Sequence, residues 1–287
     1  MPRPSRDSAA RSDARADAHG GASTSKVVVR DVFKQYGSMQ VLDNISFEIP
    51  EHQIACLVGP TGCGKTTLLN IIGGFEKATS GTVLLDGKPI QGPCPASGYV
   101  SQQANLFPWL TVWNNVRFAA RFGRGLRKNW QSPRQLDELA AAYLDRVGLS
   151  RARDQYPYQI SGGMKARAAL GRVLLTNPSL LLLDEPFAAL DALTRSDMHR
   201  LMLSMFAQDQ ERTGLLITHD IEEGLLLSDT IYVMSRWPAR IIHRIDVPFA
   251  WPRDYDRLVQ APELAQLKHQ VLELLRPIIQ SETLEGD

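Results

Sequence analysis

Cysteine is scarce in this 287-residue chain. Cys56, Cys63 and Cys94 form no Cys-x-x-Cys pair and no ligand-spaced cluster. An odd, sparse set excludes a disulfide scaffold and fits a reducing compartment. Long hydrophobic runs are missing as well: no segment reaches the roughly 18 consecutive apolar residues of a membrane span, so the chain is expected not to cross a bilayer by itself. Neither sign of charge is in excess, since 32 Lys and Arg stand against 31 Asp and Glu. That balance gives no support to a chain built to coat nucleic acid. Residues 1–25 lack the apolar stretch of a secretory signal, and they mix Arg with Asp13 and Asp17, unlike an organelle transit peptide. They hold too little apolar surface to offset ordering entropy and are expected to form a disordered tail. No repeats stand out. The remainder is ordinary: 44% hydrophobic and 22% charged residues suit one large soluble domain or two small ones.

The folded region is expected to begin at Lys26. Val27 to Val29 reads as a strand, as does Ile45 to Ile49 with its period-two alternation. Ile54 to Val58, Leu180 to Leu183, Leu215 to Ile217 and Ile231 to Met234 are short apolar runs of the kind buried on both faces of a sheet. Thr82 to Leu85 is a strand running into an Asp86-Gly87 turn, Leu68 to Ile72 is helical, and Leu193 to Phe206 is helical. Strands alternating with helices argue for an α/β core with a parallel sheet. Between about Leu110 and Leu174 the pattern is mostly helical, as an insertion would be, broken by Gly123, Gly125, Pro133 and Gly148. Leu264, Leu267, Val271 and Leu275 recur at helical spacing, and Pro277 is expected to stop that helix.

Chemistry concentrates in two places. Gly59-Pro60-Thr61-Gly62-Cys63-Gly64-Lys65-Thr66 matches G-x-x-x-x-G-K-[ST], between a buried strand and a helix. Glycines let the backbone wrap a phosphate chain with N–H groups turned inward, and the following helix offers its positive end to the same anion. Lys65 is expected to reach the β- and γ-phosphates, and the Thr66 hydroxyl to ligate Mg²⁺. The second place is Leu180-Leu181-Leu182-Leu183-Asp184-Glu185-Pro186, an apolar strand ending in two carboxylates. Asp184 is assigned to Mg²⁺ and Glu185 to polarising the attacking water as general base.

Upstream of Asp184 stands Ile160-Ser161-Gly162-Gly163-Met164. With the phosphate loop and the acidic strand end, it makes residues 26–245 resemble the ATP-binding subunit of an ABC transporter, whose signature usually reads Leu-Ser-Gly-Gly-Gln. Ile160 and Met164 depart from that pattern. Met in the last position, and the segment Asn105 to Val116 with its Leu-Phe-Pro-Trp-Leu-Thr-Val run, resemble the nitrate, sulfonate and taurine importer subgroup. The resemblance implies a P-loop NTPase (RecA-like) core with a parallel sheet, an antiparallel β portion and a helical insertion subdomain at about 103–176. It places the ATPase domain at 26–248 and a C-terminal helical extension at 249–287. The extension's helix could cover the core, touch a partner or regulate.

Residue by residue, the resemblance implies that Tyr36 stacks on adenine and that the loop from Gly59 through Thr67 (Gly59, Pro60, Thr61, Gly62, Cys63, Gly64, Lys65, Thr66, Thr67) holds the phosphates. Gln102, or its neighbour Gln103, is the glutamine that touches Mg²⁺ and the attacking water. Ser161, Gly162 and Gly163 complete the ATP pocket of the opposite subunit, with Asp191 in the adjoining loop. His219 hydrogen-bonds the γ-phosphate. Trp109 and Trp113 are either anchors for a permease or packing inside the insertion. The implied cofactors are ATP and Mg²⁺. The implied partners are a second copy of the chain, transmembrane permease subunits and a periplasmic or extracellular substrate-binding protein, without nucleic acid. The implied location is peripheral, on the cytoplasmic face of the inner membrane. An exporter subunit or a soluble non-transport ABC ATPase is the alternative.

Overall fold

The computed structural model describes residues 24–120, 133–209 and 212–280. The expected tail, apart from residues 24 and 25, lies outside the described residues. So do parts of the helical insertion (121–132) and of the C-terminal extension (281–287).

Six strands form the central sheet: β3 (Ile54–Val58), β6 (Ser97–Val100), β7 (Leu180–Asp184), β8 (Thr213–Ile217), β9 (Thr230–Met234) and β10 (Ile241–Asp246), in the order β10-β9-β3-β8-β7-β6. Every neighbouring pair is parallel except β10 against β9. A second, antiparallel sheet has the order β2-β1-β4-β5, from β1 (Ser25–Tyr36), β2 (Met39–Pro50), β4 (Ser80–Leu85) and β5 (Lys88–Pro89). The apolar runs have the expected cause. In β3, Ile54, Cys56 and Val58 face one core while Ala55 and Leu57 face the other. β7 divides the same way, Leu181 and Leu183 against Leu180 and Leu182. Side chains alternate across a strand, so a sheet covered on both faces needs apolar residues at consecutive positions.

Helix α1 (Lys65–Ile72) lies between the two sheets, where Leu68, Leu69, Ile71 and Ile72 are buried against β1, β2 and the central sheet. The opposite face carries α2 (Val112–Ala120), α3 (Pro133–Arg146), α4 (Gly162–Leu174), α5 (Ala192–Gln208), α6 (Ile221–Leu227), α7 (Tyr255–Val259) and α8 (Pro262–Gln280). The expected helical insertion corresponds to α2 through α4 with two short 3₁₀ turns.

One expectation is corrected, and two strands of the central sheet leave no signal in the sequence. Helix α8 does not stop at Pro277; it runs to Gln280, because a proline removes one backbone donor without forbidding a helical φ. Strand β6 was missed, since four residues containing Gly98 give no periodic signal. Strand β10 was missed because its exposed side chains, His243 and Arg244 among them, disguise an edge strand.

Candidate functional site

The carboxyl ends of four adjacent strands, β3, β8, β7 and β6, carry the residues that the sequence singles out. Loops after such strand ends are where open α/β sheets bind ligands. The loop 59–64 follows β3, Glu185 follows β7, Thr218-His219 follows β8 and Gln102 follows β6.

The first loop turns back through two left-handed glycines, Gly62 at φ 78° and Gly64 at φ 112°. Gly64 caps α1 with no side-chain acceptor of its own, so the first N–H groups of the helix remain for an anion. A methyl group on Gly64 would meet Val41 at 2.9 Å, so residue 64 also has to be small. Lys65 is buried, and its Nζ donates to the carbonyls of Gly59 (2.9 Å) and Pro60 (2.8 Å). The ammonium is thus held within the loop it serves. Thr61, Gly62 and Thr66 are exposed, while the Cys63 side chain is buried and burial pushes its thiol up; only the backbone of Cys63 can face a phosphate. Thr67 lies beside the Tyr36 hydroxyl. A pocket beside the loop is lined by Pro60, Thr61, Cys63, Arg236 and Trp237.

Thr66 Oγ1 donates to Asp184 Oδ1 at 3.1 Å, and Tyr99 donates its hydroxyl to Asp184 Oδ2 at 3.0 Å. Burial, and then the Asp184 carboxylate, push the Tyr99 phenol far up, so it stays protonated as a donor. Tyr99 belongs to this site and the sequence reading missed it; its one signal is standing three residues before Gln102. A hydroxyl and a carboxylate oxygen side by side fit Mg²⁺, which keeps waters and substrate phosphates as its other ligands. Among the described residues, no group of three or more His, Cys, Asp or Glu could hold a metal. Thr66 and Asp184 form a donor set that a phosphate-bound Mg²⁺ would complete.

Glu185 sits at φ 45°, the left-handed region that a non-glycine residue rarely adopts. Its backbone N–H holds the Ile217 carbonyl at 2.9 Å, which fixes the turn, and its Oε2 lies 3.2 Å from His219 Nδ1. The structure thus places side by side two of the residues expected around the γ-phosphate. Gln102 and Gln103 are both exposed at the surface after β6. Tyr36 ends β1 with its ring exposed, its hydroxyl bonded to Glu76 and the Lys34 ammonium 4.6 Å from the ring centre.

Ser161 caps α4 by accepting from Met164 N–H at 3.2 Å, and Ser161 and Gly162 are exposed. Gly163 is buried against α5: a methyl group there would meet Thr194 Cγ2 at 2.2 Å. Asp191 caps α5, accepting from Thr194 N–H (3.0 Å) and its hydroxyl (2.7 Å). Those hydrogen bonds hold the Asp191 carboxyl below the usual carboxylate range. Ser161 and Asp191 thus start neighbouring helices, and no described hydrogen bond joins either to the loop 59–66 of the same chain. At the two departing positions, Ile160 is buried and Met164 lies partly buried against the core. The two tryptophans divide: Trp109 is exposed beside Phe107, and Trp113 packs on the core under Arg153.

A profile of the ABC transporter family matches residues 42–188. The nitrate import ATP-binding protein NrtD of Synechococcus elongatus is 37% identical over 83% of this chain and 86% of its own length. The taurine import ATP-binding protein TauB of Pelagibacter ubique is 39% identical over 83% and 88%. Among solved structures, a dimeric ATP-binding cassette in a post-hydrolysis state, bound to ADP and phosphate, aligns with a TM-score of 0.68 at 28% identity, covering 78% of this chain and 99% of the other.

Proposed function

Because the chain belongs to the ABC transporter family, we propose that it is the ATP-hydrolysing subunit of an importer that energises uptake of a small anion, such as nitrate, a sulfonate or taurine, through a separate permease. One observation carries the reading: the Lys65 loop, the Thr66–Asp184 pair and the Glu185–His219 pair all lie at the carboxyl ends of adjacent strands of the central sheet. Import rather than export is supported by relatives that are nitrate, taurine and bicarbonate transport ATP-binding proteins. A permease on another polypeptide fits the described residues, where no helix is long and apolar enough to cross a membrane.

ATP is the substrate. In the mechanism, Tyr36 stacks on the adenine with its exposed face. The backbone of Gly59, Pro60, Thr61, Gly62, Cys63 and Gly64 wraps the phosphates, with the N–H groups of Lys65, Thr66 and Thr67 at the helix end. Lys65 exchanges its two loop carbonyls for phosphate oxygens. Thr66, Asp184 and Gln102 would hold Mg²⁺, which would supply charge neutralisation at the phosphate oxygens. Glu185 accepts the proton of the attacking water as its oxygen bonds to the γ-phosphorus and the bond to ADP breaks. His219, already on Glu185, donates to the γ-phosphate. Positioning and charge stabilisation do most of the work in phosphoryl transfer. Ser161, Gly162 and Gly163 present a second anion site to the ATP of another copy, with Asp191 in the adjoining loop, so the active unit is a homodimer. It stands on the cytoplasmic face of the inner membrane against permease subunits, with a periplasmic or extracellular binding protein supplying cargo. In this reading residues 26–248 form the ATPase domain and 249–287 an extension.

An uptake assay across a panel of small anions tests it. A strain lacking the gene should regain uptake of one anion with the wild-type chain and none with Glu185→Gln. Equal rescue by both would contradict the reading.

A further inference from the structure

The extension after β10 has no assigned role, yet it grips the helix that follows His219. Helix α6 has seven residues, too few to hold itself in water. Its position is imposed by the core packing of Ile221, Leu225, Leu226 and Leu227 and by contacts at its two ends. At the start, Asp220 accepts from the N–H groups of Glu222 (2.9 Å) and Glu223 (3.4 Å), directly after His219. At the other end, Arg253 Nη1 donates to the carbonyls of Leu225 (3.3 Å), Leu226 (2.9 Å) and Ser228 (2.8 Å). These are carbonyls of the kind that a helix leaves unsatisfied, at the negative end of its dipole. The Arg253 side chain is 1% exposed, its Nε donates to Phe249 O at 3.0 Å, and its Nη2 lies 3.5 Å from Asp229 Oδ1. Asp229 accepts from Trp251 Nε1 (2.6 Å) and, through Oδ2, from the N–H of Ile54, where β3 starts toward the phosphate loop. The same extension reaches the neighbouring helix: Tyr255 donates to Ser196 on α5, and Arg200 on α5 bonds Asp256 at 2.6 Å. Further along, Lys268 on α8 bonds Glu222 at 2.6 Å.

We infer that Arg253 is a positioning residue for ATP hydrolysis, which fixes α6 through its C-terminal carbonyls and so sets His219 against Glu185. This rests on the reading of His219 given above. Arg253 touches neither substrate nor Glu185; seven residues of helix separate it from His219, about 10 Å at 1.5 Å per residue. A buried guanidinium whose Nη1 serves the carbonyls at the end of α6 while Nε and Nη2 face Phe249 O and Asp229 has no equivalent among neutral side chains, and a lysine supplies the charge without the fork. The extension is thereby part of the catalytic geometry.

The test compares Arg253→Met, Arg253→Lys and His219→Ala, singly and with Arg253→Met combined with His219→Ala, in the full chain. Steady-state ATP hydrolysis is measured for the single variants and slow single-turnover hydrolysis for the His219→Ala pair. Arg253→Met should lower kcat about 10- to 100-fold, as misplacement of a reacting group does, while KM for ATP moves less than about twofold because the phosphate loop is untouched. Arg253→Lys should recover part of the loss. In the His219→Ala background Arg253→Met should add less than about twofold, because both changes act on one group. An unchanged kcat, a parallel rise in KM, or the same loss with and without His219 would overturn the inference. Should Arg253→Met fail to fold, Arg253→Lys and Lys268→Met, at a half-buried position, carry the test: a lower kcat at constant KM supports it, and an unchanged kcat overturns it. Full turnover by His219→Ala itself would instead sink the reading of His219, and the inference with it.

Discussion

Glu185 shows how much a single residue reveals. Its neighbourhood was readable from sequence because phosphate chemistry demands particular residue types in order: glycines and Lys65, then a strand ending in Asp184 and Glu185. Its left-handed backbone and its contact with His219 were not readable, since both depend on β7 and β8 lying side by side. Tyr99 was equally hidden, because its bond to Asp184 spans two strands far apart in the chain. Replacing Glu185 by Gln keeps the shape and removes the proposed base. Turnover should fall about 10²- to 10⁴-fold while ATP stays bound, as rapid-quench hydrolysis beside equilibrium nucleotide binding will show. Glu223 makes a second prediction. It is buried beside His199, its Oε2 3.7 Å from His199 Nε2, and burial pushes its carboxyl up. The folded state therefore holds a proton that the unfolded chain releases above its ordinary pKa of about 4.3. Stability from this group is lost as pH rises from there through the raised folded value. In thermal unfolding across that range, Glu223→Gln should gain on the wild type as pH increases.

Elements were legible in proportion to their burial. Runs such as Leu180 to Leu183 announced strands because both faces of the sheet are covered. The four-residue β6 and the exposed β10 left no such mark, and α8 passes through a proline that local rules treat as a stop. The junction of α4 and α5 was invisible in sequence, although Gly163 and Asp191 were both singled out; Thr194 was not. Gly163 permits the two helices to touch, and Thr194 cannot turn away without releasing Asp191, which both its N–H and its hydroxyl hold. Gly163→Ala should therefore destabilise the chain by about 1–3 kcal/mol, the usual cost of overpacking. Adding Thr194→Ser, which deletes the methyl group in the way, should restore most of it. Chemical denaturation of the two variants measures the difference.

For the whole molecule, the chain is an ATPase of the ABC transporter family whose surface holds one part of its proposed site in reserve. The phosphate loop faces its own Asp184, while Ser161 and Gly162 stand exposed at the start of α4 with no described bond to that loop. Sequence alone supplied the motif and the structure supplies its isolation. Ser161→Arg should leave ATP binding to the separate subunit intact and abolish hydrolysis, because the bulky cation would occupy the wall offered to another copy. The central claim, that two copies build each site, is tested most directly by hydrolysis per mole of chain as a function of chain concentration, with sedimentation to report the monomer fraction. The account predicts specific activity that rises with concentration and approaches zero where only monomer remains. A constant specific activity down through the monomeric range would contradict it.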